Sequence, residues 1–385
     1  MNQTLNLAII LDIKLDSGGA LHMSQSHLFF LEKLNRKKLN IFIIATNKDL
    51  YNYLKKKYKF KIFFYDKDFF LTKLLNYLYK KIHKYLPILS HFEYFLKKKN
   101  INLVYFSSPS YLVLLFKKLD FIYTVFDLID KKLANLPEHG KSIINLRNKC
   151  YFHASLYAKK ISITNENRKK IFIKNYNCIP EKIFTIQFPP TICLNKEKSQ
   201  IIKIKFKDKK INSFIFYPAQ YWSHKNHSYI IRAMKRFRSL KLKNLGCVFS
   251  GADKGSLDYL KKLSIKEGIE NRITFYNYLS NAQIKYLYKK CFCVIFPSLI
   301  GFDSFSLYET FFFKKIMIYN KDIIDKSFAK NIIPLNIKNK KDLEKRILDL
   351  LNNKKKYQKY LSNNFQLYQK KFVKIKDEFN TLILN

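Results

Sequence analysis

Short, nearly uninterrupted apolar runs alternate with longer amphipathic runs along most of this chain, and that alternation limits the folds open to it. Residues 6–13 have the continuous apolar character of a strand buried on both faces. Residues 20–34 then place Leu21, Leu28, Leu31 and Leu34 roughly on one side of a helix. The pattern continues through 41–45, 50–58, 61–65, 71–96, 103–106 and 121–126, and again through 143–157, 160–164, 166–175 and 182–187. Phe188-Pro189-Pro190 halts it. Strand-like runs at 214–217, 247–250, 273–276 and 294–297 then alternate with helical runs at 228–237, 252–262 and 282–289, and helical segments at 342–351 and 357–382 close the chain. Alternation of this kind predicts an α/β fold with parallel sheets covered by helices.

A length of 385 residues exceeds one ordinary core, so two domains of roughly 150–200 residues are expected. The boundaries read as a first domain over 1–190, a polar, Lys-rich linker over 191–210, a second domain over 211–355, and a terminal helix over 356–385 packing back towards the first. Basic residues number 73 against 28 acidic, a net charge of +45, but only eight of the 73 are Arg. A lysine excess accompanied by abundant Ile, Asn, Phe and Tyr is what A/T-biased coding produces, so the charge does not point to a specific nucleic acid. It still favours anionic lipid surfaces and nucleotide phosphates. Cys150, Cys178, Cys193, Cys247, Cys291 and Cys293 lack metal-site spacing and read as buried thiols of a reducing compartment. The N-terminus lacks the pattern of a signal peptide, and no apolar run reaches the ~18 residues of a membrane span. The expected location is cytoplasmic, with peripheral contact on the cytoplasmic face of the membrane as an option.

Chemistry in such sheets sits beyond the carboxyl ends of the strands. The chain holds only eight glycines, so Gly18-Gly19 between the first strand and helix draws notice: the pair allows a phosphate or sugar to approach a helix N-terminus, or simply makes a tight turn. Asp66-Lys67-Asp68 has a D-x-D form, but its place favours a solvated turn. Asp127 and Asp130 follow a strand and either act on a hydroxyl or cap a loop; spacing does not decide. Trp222, the only tryptophan, and His224, Lys225, Asn226 and His227 crowd one strand-to-helix loop. The two histidines lack a third metal ligand and read as packing or capping, so no metal is expected. Residues 294–319 read as strand, loop, helix and strand, with Ser306 and Glu309 at capping-box spacing and Phe311 to Phe313 as core packing ahead of a solvated Lys314-Lys315.

Taken in order, YPAQYWSHKNH (217–227), FSG (249–251) and FPSLIGFDSFSLYE (296–309) resemble the retaining glycosyltransferases of family four, with weaker support from Gly18-Gly19, 124–128 and FTIQFPP (184–190). The resemblance covers nearly the whole chain. It implies the GT-B fold, two Rossmann-like domains with parallel sheets facing across a cleft, the first holding the acceptor and the second a nucleotide-sugar. Lys225 matches the cation facing the donor diphosphate, and Gln220 stands where its Arg partner is usual. Gly251 belongs to the donor-side motifs. Ser304, Phe305 and Ser306 match the loop whose amides point at the donor phosphate or sugar, Glu309 the acid that accepts from the ribose hydroxyls, and Gly18 and Gly19 the first-domain loop near the donor. Asp127, with Asp130 behind it, is the acceptor-side candidate; Asp127, Lys225 and Glu309 are the catalytic candidates. Gly301 replaces the first acid of the family's E-x7-E pair, and Phe126 its usual His.

The implied activity is transfer of a sugar from a nucleotide-diphosphate-sugar, as co-substrate and without a cofactor, to a hydroxyl of a glycan or lipid-linked acceptor in cell-surface polysaccharide assembly. Two alternatives stand beside it: a non-catalytic basic protein binding membrane surfaces or polyanions, and another GT-B enzyme such as a sugar-nucleotide epimerase.

Overall fold

The computed structural model describes residues 4–384 apart from 16, 35–38, 83–87, 127, 129–139, 240–241, 302–304 and 325. The chain divides into two compact units: 1–135, 139–188 and 374–385 form the first, and 136–138 with 189–373 the second.

In the first unit the order is β1 (Leu5–Leu11), α1 (Gly19–Leu31), β2 (Leu39–Ala45), α2 (Lys48–Lys57), β3 (Lys61–Phe64), α3 (Phe70–Ile82), α4 (His91–Lys97), β4 (Leu103–Phe106), β5 (Asp120–Val125), α5 (Lys141–Tyr157), β6 (Lys160–Ile163), α6 (Glu166–Tyr176) and β7 (Ile183–Thr185). Its seven strands lie in the order β3-β2-β1-β4-β5-β6-β7, and every pairing is parallel. The expected helical run over 71–96 is two helices. Ser90 starts the second with a capping box, its hydroxyl accepting from Glu93 N–H while Glu93 accepts from Ser90 N–H. The other Glu93 oxygen accepts from the N–H groups of Lys117, Lys118 and Leu119 at 2.8–3.0 Å, so one buried carboxylate fastens α4 to the turn before β5.

The second unit continues with α7 (Thr191–Leu194), β8 (Ser213–Pro218), α8 (His227–Met234), β9 (Leu245–Ser250), α9 (Leu257–Lys266), β10 (Ile273–Tyr276), α10 (Asn281–Lys290), β11 (Cys293–Phe296), α11 (Phe305–Phe312), β12 (Met317–Asn320), β13 (Ile333–Leu335), α12 (Asp342–Asn352) and α13 (Lys354–Phe372). The strands lie in the order β10-β9-β8-β11-β12-β13, again all parallel. β13 had no counterpart in the sequence reading. It is three residues long at a sheet edge with Pro334 exposed, where the missing N–H does no harm.

Residues 191–210, expected as a linker, belong to this unit and are held along it: Gln200 N–H donates to Ala282 O, Asp208 N–H to Asn271 O, and buried Lys285 reaches the carbonyls of Asn195 and Glu197. Their polar composition reflects backbone groups meeting side chains rather than a free tether. The expected terminal helix over 356–385 is likewise two helices: α13 stays in the second unit against α11, and α14 (Ile375–Leu384) belongs to the first. There Lys160 Nζ caps α14 at the carbonyls of Thr381 and Leu382.

Each unit buries one histidine among aromatic rings. His27 on α1 lies 3.9 Å from Phe188 and 6.1 Å from Phe379, centroid to centroid, with Tyr105 hydroxyl on its Nδ1. His227, at the start of α8, lies 4.6–5.2 Å from Tyr217, Tyr221 and Phe249, which makes it core packing rather than a cap or metal ligand. Burial lowers both to about 3. Because the unfolded chain takes up these protons near pH 6.5 and the folded one does not, stability is full above pH 6.5 and is lost as pH falls towards 3. Between pH 7 and pH 5 each histidine should remove roughly 2 kcal/mol. The melting temperature should therefore drop over that interval, and His227→Phe should shrink the drop; an equal drop would refute the assignment.

Candidate donor-site geometry

In both sheets the strand order reverses once, between β1 and β4 and between β8 and β11, and crevices for ligands open at the carboxyl ends of such strands. In the second unit the loops after β8 and β11 meet there. Ser223–Lys225 forms a single 3-10 turn ended by Asn226 in the left-handed conformation (φ 56°). His224 O accepts from Leu299 N–H (2.8 Å) and Ser298 Oγ (3.2 Å), and Asn226 Nδ2 donates to Pro297 O (3.2 Å). Tyr217 hydroxyl holds Lys225 O at 2.9 Å, and the Lys225 ammonium lies 5.3 Å from the centre of the Phe296 ring. Phe296 is itself stacked on Tyr319 at 4.7 Å.

Gly301 completes this cluster. Its backbone sits at φ +111°, a conformation side-chain-bearing residues rarely adopt, and Tyr319 hydroxyl donates to its carbonyl at 2.8 Å. A Cβ there would lie 3.8 Å from Lys225 Nζ. The position where the resembled family carries an acid thus faces the lysine, but its backbone has taken a form that an acid would strain.

The other sequence candidates separate into those that contribute side chains and those that contribute shape. Gln220 lies in the turn after β8, and its Oε1 accepts from Trp222 Nε1 at 3.1 Å. Gly251 follows β9, and a Cβ on it would come within 2.3 Å of Ala219 O, so glycine is required for the β8 loop to cross the end of β9. Phe305 opens α11 and is half-buried; Ser304 lies outside the described residues. Ser306 is already inside the first turn of α11, and its hydroxyl donates to Pro218 O (3.4 Å), tying the helix to the end of β8. The expected capping box with Glu309 is therefore not formed.

Glu309 turns instead towards α10, where Tyr288 hydroxyl donates to its Oε2 at 2.5 Å. Cys193 of α7 and Tyr368 of α13 lie beside it. Burial raises Glu309 to about 7, with the Tyr288 hydrogen bond opposing part of that rise. Phe311 is buried in the core and Phe313 stacks on Tyr288 at 5.0 Å, as expected, but Lys315 is no free surface lysine: its Nζ caps Cys291 O at 2.9 Å.

In the first unit, Gly18 (φ 55°) caps α1, and the side of Gly19 where a Cβ would stand is open. Asp127 and Asp130 lie outside the described residues. Arg168 Nη1 fixes the Phe126 carbonyl just before them at 2.7 Å. Asp66 caps the turn into α3 through Asp68 and Phe69 N–H, in keeping with the solvated-turn reading. Lys67 instead joins a group that was not singled out from sequence: Asp12, 9% exposed, accepts from Lys67 Nζ, Thr46 Oγ1 and Ser110 Oγ, all at 2.6 Å. Its one sequence signal was an acid inside an otherwise apolar run. Tyr288 and Tyr319 had none, being two tyrosines among 27. Among the described residues no group of three or more His, Cys, Asp or Glu side chains is placed to hold a metal ion.

Residues 197–367 match the family model described as glycosyl transferases group 1. Among solved structures, the chain is similar to HepE of Anabaena in complex with UDP and glucose (14% identity, 98% of each chain, TM-score 0.70). It is also similar to a glycosyltransferase from Rickettsia africae (15% identity, 99% of each chain, TM-score 0.64). A third is WaaG, a glycosyltransferase involved in lipopolysaccharide biosynthesis (11% identity, 98% of this chain and 100% of that one, TM-score 0.67). At these identities the likeness is one of fold. No curated protein sequence matches the chain.

Because Glu309 is raised, the folded protein holds more protons than the unfolded chain between about pH 4.5 and 7. The stability this group contributes is therefore full below about pH 4.5 and is lost as pH rises from there through 7. Glu309→Gln should thus gain stability on wild type at pH 8, by roughly 2–3 kcal/mol, and little at pH 5. Tyr288→Phe should lose more at pH 8 than at pH 5, since it withdraws the bond that favours the charged form. Melting curves at the two pH values check both; pH-independent differences would overturn the buried-carboxylate assignment.

Proposed function

We propose that this chain is a group 1 glycosyltransferase that moves the sugar of a nucleotide-diphosphate-sugar to a hydroxyl of a glycan or lipid-linked acceptor with retention at the anomeric carbon, in cell-surface polysaccharide assembly; the match over residues 197–367 and the likeness in fold to HepE, which was solved with UDP and glucose, support the reading. The observation that carries the reading is the meeting of Lys225 with the β11 loop at the strand-order reversal of the second unit. In that role the Lys225 ammonium stabilises the negative charge that grows on the nucleotide diphosphate as the glycosidic bond breaks. Backbone amides of Phe305 and Ser306 at the start of α11 add donors to the same phosphates, and Ser304, which lies outside the described residues, is assigned to the same role. The Glu309 carboxyl, already accepting from Tyr288, retains lone pairs for a ribose hydroxyl.

Gly301 removes the acid expected against the sugar, so a side-chain acceptor there gives way to backbone and solvent. Gln220 leaves Lys225 as the motif's single cation. Gly18, Gly19 and Gly251 serve by admitting close backbone approach, and Asp127 with Asp130 are assigned to the acceptor side. Leaving-group stabilisation by Lys225 and amides requires no metal and no cofactor. Contact with the anionic cytoplasmic surface of the membrane would bring a lipid-linked acceptor within reach, consistent with a net charge of +45 and with the absence, among the described residues, of a helix long and apolar enough to cross a membrane.

Thermal-shift measurements with UDP-, GDP- and ADP-sugars test the donor reading. One base series should raise the melting point, by about 2.7 kcal/mol of added stability when ligand stands at about a hundred times Kd. No shift with any of them would reject it.

Lys225→Ala should lower kcat/KM for that donor by roughly 10- to 100-fold, about 1.4–2.7 kcal/mol of transition-state stabilisation, with little change in melting temperature. Unchanged kinetics would remove Lys225 from the mechanism. Release of an altered free nucleotide-sugar without acceptor would favour an epimerase instead.

A further inference from the structure

Helix α3 is amphipathic in the wrong sense for a helix of a globular domain. Its buried side chains are Thr72, Asn76 and Tyr79, while Phe70 (76% exposed), Tyr77 (58%), Leu71 (51%), Leu74, Leu78 and Ile82 face outward. The inward polar face has local partners: Asn76 Nδ2 reaches Tyr65 hydroxyl (3.4 Å), which also meets His91 Nδ1 (3.2 Å), and the Tyr65 ring stacks on Phe92 at 4.0 Å. Nothing in that packing requires six large apolar residues on the opposite side. At about 100° per residue, Phe70, Leu74, Tyr77 and Leu78 form one stripe along the helix, and Leu71 and Ile82 widen it. Phe69, just before the helix, is 58% exposed and extends the apolar surface. Single exposed apolar residues are ordinary, but a contiguous stripe marks a surface that another phase or molecule covers.

The lysines indicate what covers it. Lys80 and Lys81 are exposed in the last turn, and Lys73, paired with Asp68 at 3.5 Å, lies beside the stripe in the second turn. Lys73 and Lys80 edge one side of the stripe, while Lys81 stands in line with it at the C-terminal end, its ammonium 5.7 Å from the centre of the Tyr77 ring; lysines with long aliphatic stems at the edge and end of an apolar stripe suit the boundary between acyl chains and anionic headgroups. With 13 residues the helix spans about 20 Å, too short to cross the ~30 Å hydrocarbon layer.

We propose that α3 is a membrane-docking helix, lying in the plane of an anionic bilayer surface with Phe70, Leu74, Tyr77 and Leu78 in the acyl boundary and Lys73, Lys80 and Lys81 at the headgroups. The proposal gives a location to the membrane contact in the preceding functional reading. It is independent of the donor site, because docking involves only the first unit.

The test is co-sedimentation of the full chain with vesicles, without nucleotide-sugar. Wild type should pellet with mixed phosphatidylcholine and phosphatidylglycerol vesicles at about 0.1 M salt and far less with phosphatidylcholine alone. The triple variant Phe70→Ser, Leu74→Ser, Leu78→Ser should bind at least about tenfold more weakly at an unchanged melting temperature, since the replaced side chains are already exposed. Lys80→Gln with Lys81→Gln should weaken binding by a smaller factor and reduce its salt dependence. Three results would overturn the proposal: no vesicle binding by wild type; equal binding by the triple serine variant, which would assign the interaction to overall charge; or a wild-type dimer that the serine variant dissociates, which would make the stripe a contact between two copies. The nucleotide-sugar thermal shift of the triple variant separates this result from the donor reading, because it should match wild type whatever the vesicles show.

Discussion

The reversal of strand order between β8 and β11 is the constraint on which the second unit's chemistry depends. The crossovers leaving these adjacent parallel strands run away from each other, so the loops beyond their carboxyl ends meet without a helix between them. Here the gap is closed by the loops themselves. His224 O, Ser298, Leu299, Asn226 and Pro297 exchange hydrogen bonds, and the aromatic stack of Tyr319 on Phe296 supports them from below. Lys225 therefore projects from a turn whose backbone is held at its own carbonyl and at its neighbours.

That stitching also accounts for a glycine at 301. Once Tyr319 holds the Gly301 carbonyl and the backbone adopts φ +111°, the position serves loop shape rather than side-chain chemistry. Gly251 shows the same economy of side chains, since the peptide after Ala219 occupies the space a Cβ would need. In a chain with so few glycines, these two are placed where backbone approaches backbone or takes a conformation closed to other residues.

Buried and half-buried polar groups organise both units in a comparable way. Glu93 satisfies four backbone N–H groups, Asp12 draws together Lys67, Thr46 and Ser110, Arg272 caps the carbonyls of Leu242, Lys243 and Leu245, and Glu309 is held by Tyr288. Each sits at a junction where several chain segments converge and regular hydrogen bonding ends, so a side chain must complete the accounting. At Glu309 the hydrogen bond from Tyr288 does not offset the cost of burial, so its proton affinity rises.

Much of the architecture was legible in the sequence because strand and helix periods are local properties. The apolar run over 6–13, the Pro189-Pro190 break and the repeated alternation were enough to specify two parallel α/β units and the loops that matter. Lys225, Gly301 and Glu309 were singled out by the family resemblance, and the structure places Lys225 in the loop after β8, Gly301 in the loop after β11 and Glu309 in α11. What local pattern could not show was direction and partnership. Ser306 and Glu309 have capping-box spacing, yet helix α11 begins one residue before Ser306, and its turn sends Ser306 to Pro218 and Glu309 to Tyr288. Residues 191–210 look like a tether, yet their carbonyls and amides find partners on the second unit. Helix α3 shows a strong amphipathic period, but periodicity is silent on which face turns inward; only packing against Tyr65 and its neighbours showed that the apolar face is the exposed one. Sequence determined the periods, the breaks and the residue types available at each strand end. Tertiary structure decided orientation and pairing, because those depend on contacts between segments far apart in the chain.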